Sequence, residues 1–262
     1  MKINCSAGRG VMELEECLSC ALAQNNDCGY DYALIKNMMN DAKKESRRSE
    51  IHVTDITGCL RKAWYDKVEP APEYIHETLA RWLGVNFHGG AEMADEYLDS
   101  ELPLEYNGLV GTSDIVYKDG RIVDYKFTRW IYPSKLPYGS HATQVNIYAY
   151  MLRKMGREVK QLQIQYVDAS GPTKCRKCKV PVRTVDGVLQ CPNCNNIISN
   201  AHLGAVLVDI PISSDEDIEA YINERKENLK GALELGLPPE KEPGFLCAYC
   251  AHVDVCKPGE YE

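Results

Sequence analysis

Asp114, Asp124 and Lys126 stand in two short runs, Gly111-Thr-Ser-Asp114 and Asp124-Tyr-Lys126, whose residue types can do chemistry on a phosphate. Two carboxylates on one face offer hard oxygen ligands for Mg2+ or Mn2+, and an ion held there can bridge a phosphate oxygen and activate a water. A lysine two residues on can steer that water or stabilise the charge that builds on phosphorus. An ordinary hairpin with a surface Asp-Lys pair has the same short pattern, so the chemistry depends on what the neighbouring elements bring to it.

Stepping outward from these residues, Val110–Tyr117 and Arg121–Phe127 are rich in Ile, Val and Tyr and meet through Asp119-Gly120, which predicts a β-hairpin. A two-residue loop would set residue 114 opposite 125 and send the carboxylates to opposite faces. A three-residue loop, Lys118-Asp119-Gly120, with Gly120 left-handed, instead sets 114 opposite 124 and Ile115 opposite Val123. That register is the expected one, because it places Asp114, Asp124 and Lys126 on one face.

Helices should surround the hairpin. One is expected from about Tyr30 to Arg48 and a second from near Thr57. A long one is expected from Glu73 to Leu98, on the spacing of Leu79, Leu83, Phe87, Ala91, Ala94 and Leu98, with Gly89-Gly90 as the place for a kink. His88 and Glu92 would share a face of it, His88 as a further metal ligand and Glu92 as a reserve. After the hairpin come a helix His141–Arg153, strands Gln161–Val167 and Ala205–Ile210, and a helix Asp215–Leu235. The acids Asp215, Glu216, Asp217 and Glu219 suit the first turn of that last helix. Gln144 and Tyr148, at i and i+4, project together and could hold a DNA phosphate or the lysine in place.

Twelve cysteines and no apolar run of signal-peptide type in MKINCSAGRG point to thiols kept for metals in a reducing compartment, so the cytoplasm is expected, with no membrane partner. They fall into three sets of four. Cys175-x2-Cys178 and Cys191-x2-Cys194 have the spacing of two facing zinc knuckles, the strongest local motif in the chain. Cys59 with Cys247, Cys250 and Cys256 would close a loop around most of the chain, and four thiolates suit zinc or a four-iron four-sulphur cluster equally. Cys5, Cys17, Cys20 and Cys28 contain one Cys-x2-Cys with irregular outer gaps, a weaker second zinc candidate. The CSAGRG segment lacks the Gly-Lys-Ser/Thr ending of a P-loop, so no nucleotide site is expected.

The formal charge of -8 argues against a protein coated in positive potential, although a basic channel needs only local charge. Lys43, Lys44, Arg47 and Arg48 form one basic cluster, and Lys174, Arg176, Lys177, Lys179 and Arg183 form another. Arg129, Trp130 and Tyr132, just past the hairpin, could stack on or guide a single strand.

The order His88, Asp114, Asp124-x-Lys126, Gln144-xxx-Tyr148, with Gly84-xxx-His88 and Gly111-xx-Asp114, resembles the RecB nuclease family of the PD-(D/E)xK superfamily. One cysteine before these motifs and Cys-x2-Cys-x5-Cys after them resembles its iron-sulphur subgroup, especially the fourth numbered family of CRISPR-associated proteins. The resemblance implies an α/β fold with a restriction-endonuclease-like mixed central sheet flanked by helices. It implies a Mg2+ or Mn2+ enzyme that cuts DNA, often single-stranded from an end, and in CRISPR systems trims new spacer DNA alongside the integrase. It implies metal ligands at His88, Asp114, Asp124 and the backbone of Tyr125, with Lys126 catalytic, and it favours a 4Fe-4S cluster at Cys59, Cys247, Cys250 and Cys256.

The expected organisation is an N-terminal cysteine-rich and helical region over 1–50, a nuclease core over 51–170, a zinc-ribbon insert over 171–200, and 201–262 completing the core with the last cysteines. The insert and the four-cysteine N-terminus depart from the family pattern. Three rival readings stand beside the nuclease: a non-cleaving DNA-binding or integrase-partner module, a repair or replication nuclease outside CRISPR, and a zinc-ribbon protein of transcription or RNA processing.

Overall fold

The computed structural model describes residues 2–5, 7–23, 30, 32–36, 50–74, 79, 97–128, 131–168, 170–185 and 187–256. The chain divides into two compact units, Met1–Phe87 with Ala220–Glu262, and His88–Glu219.

In the first unit, β1 (Lys2–Asn4) pairs antiparallel with β2 (Val11–Glu13) and parallel with β4 (Glu73–Tyr74). Helix α1 (Leu14–Leu22) follows β2 directly, with a capping box in which Glu13 and Glu16 satisfy each other's backbone amides. Its Leu14, Cys17 and Ala21 pack with Ile3 and Ile35 in one apolar cluster. After a two-residue strand β3 (Ile51–His52) come α2 (Val53–Thr57) and α3 (Leu60–Val68). These rest on α5 (Asp215–Leu235): Trp64 donates to the Ala232 carbonyl at 3.1 Å, while Tyr221 and Arg225 both donate to the Ile56 carbonyl, at 2.9 and 3.0 Å. The unit ends in a 3-10 turn, Phe245–Tyr249, and a short helix α6 (Val253–Cys256).

The second unit is a mixed sheet in the order β5-β6-β7-β8-β11. Its strands are β5 (Leu98–Tyr106), β6 (Leu109–Tyr117), β7 (Arg121–Thr128), β8 (Gln161–Asp168) and β11 (Ala205–Ile210). All neighbours are antiparallel except β7 and β8, which are parallel and joined through α4 (Gly139–Lys154), as a parallel pair requires. Helix α4 lies against β5, β6, β7 and β8, and every residue from Gln144 to Leu152 is buried, so it is covered all round. Arg153 and Lys154 sit in its last turn, where cations favour the helix dipole, and Gly156 at φ +80° carries the chain out.

The expected helix over Glu73–Leu98 is corrected at both ends: Glu73 lies in β4 and Leu98 opens β5, and the stretch between the two strands falls outside the described residues except for Leu79 and Tyr97. Leu98, Leu102, Leu104 and Tyr106 alternate at period two, a strand pattern that the helical spacing upstream obscures. Pro103 is tolerated because β5 pairs on one side only within this sheet, and an edge strand can spare an amide. The expected Tyr30–Arg48 helix lies mostly outside the described residues.

Between β8 and β11 a small ribbon carries β9 (Arg183–Val185) paired with β10 (Val188–Gln190). Among the described residues no helix is long and apolar enough to cross a membrane.

Candidate active site

Local turn chemistry decides the hairpin. Gly120 has φ +92°, its amide donates to the Tyr117 carbonyl at 3.1 Å, and the ladder between β6 and β7 runs through Val116 opposite Ile122 and Ile115 opposite Val123. That register carries Asp114 to the position opposite Asp124. There the ladder stops, and the Asp114 carboxylate accepts the Tyr125 amide at 2.6 Å.

Asp124 is 1% exposed, and the Lys126 ammonium lies 2.8 Å from its carboxylate. Ile122, Leu162, Ile164 and Tyr166 are also buried on this part of β7 and β8, with Asp124 beside Ile164 and Lys126 beside Tyr166. A carboxylate is held in this apolar floor with its compensating charge two residues away on the same strand.

Helix α4 supplies the opposite wall. Gln144 donates to the Tyr148 hydroxyl at 2.8 Å, and both side chains are buried. Burial raises the Tyr148 hydroxyl above the ordinary tyrosine range, and the charges of Asp124, Asp114 and Glu101 raise it further. The phenol therefore stays protonated beside the carboxylates. One turn earlier, His141 Nδ1 lies 3.1 Å from the Tyr166 hydroxyl, and burial together with Lys126 lowers this imidazole to about 4.

The structure thus brings Asp114, Asp124, Lys126, Gln144 and Tyr148 to one place, while His88, Glu92, Arg129 and Trp130 lie outside the described residues. Sequence reasoning missed two participants in this neighbourhood. Glu101 in β5 stands in register opposite Asp114, because Ser100 faces Ile115 and Leu102 faces Ser113. His141, three residues before Gln144 on the same helix, reaches Lys126 electrostatically. The period-two pattern of β5 and the i, i+3 spacing to Gln144 were the available signals.

The donor set fits a hard divalent ion. Asp114 and Asp124 provide oxygen ligands of the preferred type, and a buried carboxylate at the end of an opened ladder is where such an ion offsets the desolvation of charge.

Among the described residues, one cysteine set is gathered as a compact group of sulfur atoms. Cys175, Cys178, Cys191 and Cys194 have sulfur atoms all within 4.8 Å of one another, with Cys175 and Cys194 at 3.8 Å. A tetrahedral ion with thiolates at about 2.3 Å sets sulfur atoms about 3.8 Å apart. Two like loops build the set: Lys179 and Cys175 amides bond to the Cys175 and Val180 carbonyls, and Asn195 and Cys191 amides to the Cys191 and Asn196 carbonyls. Lys179 and Asn195 are both left-handed, at φ +61° and +55°.

Cys59, Cys247, Cys250 and Cys256 are part-buried in the first unit and do not meet within that distance; a four-iron cluster would hold its thiolates wider apart than a single ion does. His252, between Cys250 and Cys256, is bonded to Asp66 at 2.7 Å and stacked on Tyr65 of the helix that Cys59 precedes. The two cysteine-bearing segments are therefore joined side by side. In the N-terminal set, Cys17 packs into the apolar cluster and Cys28 lies outside the described residues.

No curated protein matches the sequence significantly. Similar solved structures include SSO0001, at 14% identity and TM-score 0.49, covering 85% of this chain and 94% of that one. A phage related exonuclease from Haemophilus somnus 129PT shares 13% identity at TM-score 0.40, covering 73% and 95%. An alkaline exonuclease (LHK-Exo) from Laribacter hongkongensis shares 8% at TM-score 0.39, covering 73% and 93%. The sequence itself matches the PD-(D/E)XK nuclease superfamily over residues 26–257, nearly its full length, and the chain belongs to that superfamily.

Proposed function

We propose that this chain is a Mg2+- or Mn2+-dependent exonuclease that hydrolyses phosphodiester bonds at single-stranded DNA ends. The observation that carries the reading is the register that sets Asp114 opposite Asp124 with Lys126 at 2.8 Å from Asp124, inside a nuclease-superfamily sequence. Asp114, Asp124 and the Tyr125 backbone would hold the ion, with His88 as a further ligand. When bound, the ion supplies Lewis-acid polarisation of the phosphate and a more acidic water.

The chain's own residues do the rest. Lys126, held by Asp124 and walled by Tyr166, presents an ammonium to the non-bridging phosphate oxygens as their charge grows. Tyr148, kept protonated and oriented by Gln144, offers a neutral hydrogen-bond donor without adding charge. The preference for single-stranded ends, and a role in trimming spacer DNA beside a CRISPR integrase, follow from the resemblance of the motif order. Zinc at Cys175, Cys178, Cys191 and Cys194 and a 4Fe-4S cluster at Cys59, Cys247, Cys250 and Cys256 complete the proposal, both as structural groups.

The test is cleavage of end-labelled single- and double-stranded DNA in Mn2+, beside Asp124→Ala and Lys126→Ala variants. Loss of label as short products by the wild type and not by the variants is expected. Retention of full-length DNA by the wild type, with DNA still bound, would make it a binding module.

A further inference from the structure

Five cations stand within ten residues of the inserted ribbon: Lys174, Arg176, Lys177, Lys179 and Arg183, all of them exposed. Among the described residues none of the five side chains is in an ion pair, and residues 171–204 hold one acid, Asp186, which lies outside the described residues. In a chain of formal charge -8 this is a local reversal of sign. We propose that the ribbon is a DNA-binding surface separate from the catalytic centre, one that grips the phosphate backbone of a strand without reading its sequence. The choice of DNA rests on the nuclease reading; the surface rests on the ribbon's own charge.

The two knuckles show that the fold does not require these cations. Cys175 to Val180 and Cys191 to Asn196 make the same loop, closed by the same pair of backbone hydrogen bonds. Arg176, Lys177 and Lys179 of the first stand where Pro192, Asn193 and Asn195 stand in the second. Lys179 holds a left-handed position, at φ +61°, that asparagine fills more easily in the other loop. The first knuckle therefore carries charge where a neutral residue suits the backbone better. A zinc ion on four thiolates is doubly negative, and five cations exceed what that centre calls for.

The ribbon is also fixed to the sheet at the end where β7 leaves it. The Leu203 amide donates to the Ile131 carbonyl at 3.0 Å, the Thr173 amide to the His202 carbonyl at 3.0 Å and the Val182 amide to the Thr173 carbonyl at 2.9 Å, while Val182 and Ala201 are buried. Asp168, the last residue of β8 before the ribbon, pairs with Thr128, four residues beyond Asp124 on β7. At about 3.3 Å per residue the root lies about 13 Å from Asp124, a span of about four phosphates at about 3.4 Å each along one strand. A strand cut at the sheet can therefore lie on the ribbon a few phosphates away.

The bland alternative is that the cations only offset the zinc-thiolate charge, and the experiment separates the two. The zinc-loaded full chain, without Mg2+ or Mn2+ so that nothing is cut, is titrated into a fluorescent single-stranded DNA of mixed sequence, and anisotropy gives Kd between about 50 and 200 mM KCl. The triple variant Arg176→Gln, Lys177→Asn, Lys179→Asn should keep its zinc in native mass spectrometry and bind DNA about tenfold or more weakly at low salt. It should also lose about 2 from the slope of log Kd against log salt, at about 0.7 per phosphate contact. The control Lys160→Gln with Lys230→Gln, whose lysines already face Glu158 and Glu234, should leave both quantities near wild type. A zinc-loaded triple variant with wild-type affinity and slope would overturn the proposal, as would an equal loss in the control, which net charge alone would produce. Should the triple variant lose zinc, Lys174→Gln with Arg183→Gln, outside both Cys-x2-Cys loops, decides. With zinc retained, about 1 lost from the slope supports the surface and an unchanged slope overturns it. Zinc lost from both variants makes the cations part of the zinc centre and overturns it too. A wild type that grips DNA in this way but cuts none in Mn2+ would sink the nuclease reading and leave the ribbon's role standing.

Discussion

Lys126→Met and Asp124→Asn should affect stability unequally, although each removes one half of the same ion pair. Asp124 is 1% exposed, whereas the Lys126 side chain is 19% exposed. Lys126→Met leaves a buried carboxylate without the ammonium at 2.8 Å, and removing one partner of a buried pair costs about 3–5 kcal/mol. Discounted for the partial exposure of Lys126, about 2–3 kcal/mol is expected. Asp124→Asn leaves a lysine whose tip can turn to water, at about 0–1 kcal/mol. With roughly 2–4 °C lost per kcal/mol at this size, Lys126→Met should melt about 4–12 °C lower and Asp124→Asn almost unchanged. An ion at about 100 times its Kd adds about 2.7 kcal/mol, so Mn2+ should return most of the loss in Lys126→Met and little in Asp124→Asn. Differential scanning calorimetry of protein dialysed free of Mg2+ and Mn2+, then supplied with Mn2+, reads both effects. Equal losses in the two variants, or no rescue of Lys126→Met by Mn2+, would refute the argument that Lys126 and a divalent ion can each offset the buried charge of Asp124.

His141, lowered to about 4 by burial and by Lys126, binds its proton later in the folded protein than in the unfolded chain. Its contribution is fully present above about pH 6.5 and is lost as pH falls through about pH 4. Urea unfolding across that window should show a shallower decline for His141→Gln than for the wild type. Gly120→Ala should cost about 1–2 kcal/mol in urea midpoint, because its φ of +92° disfavours a side chain and an added Cβ would sit 3.1 Å from the Glu158 carbonyl. Cys191→Ser should lower bound zinc by one equivalent in native mass spectrometry and open the lysines and arginines of the ribbon to trypsin, without lowering zinc elsewhere. Anaerobically purified protein should be brown, with the visible absorption absent in Cys247→Ser; a colourless wild type would remove the iron-sulphur proposal.

Much of the candidate site is local and could be read residue by residue. Gly120 closes a three-residue loop, and because side chains alternate with period two, that one turn sets Asp114 in register opposite Asp124 rather than opposite Tyr125. The Gln144 and Tyr148 pair follows from i, i+4 geometry, and the two Cys-x2-Cys loops follow from knuckle spacing; all three are set within a few residues of chain. What the tertiary structure decided is non-local. Leu98–Tyr106 became a strand because β6 offered it a partner, and only that pairing set Glu101 opposite Asp114. Ile3, Leu14, Cys17 and Ile35 meet in one apolar cluster, and no spacing along the chain announces that meeting. Sequence patterns report which way a side chain points along its own element; which residue it then meets depends on how distant segments bury their surfaces against each other.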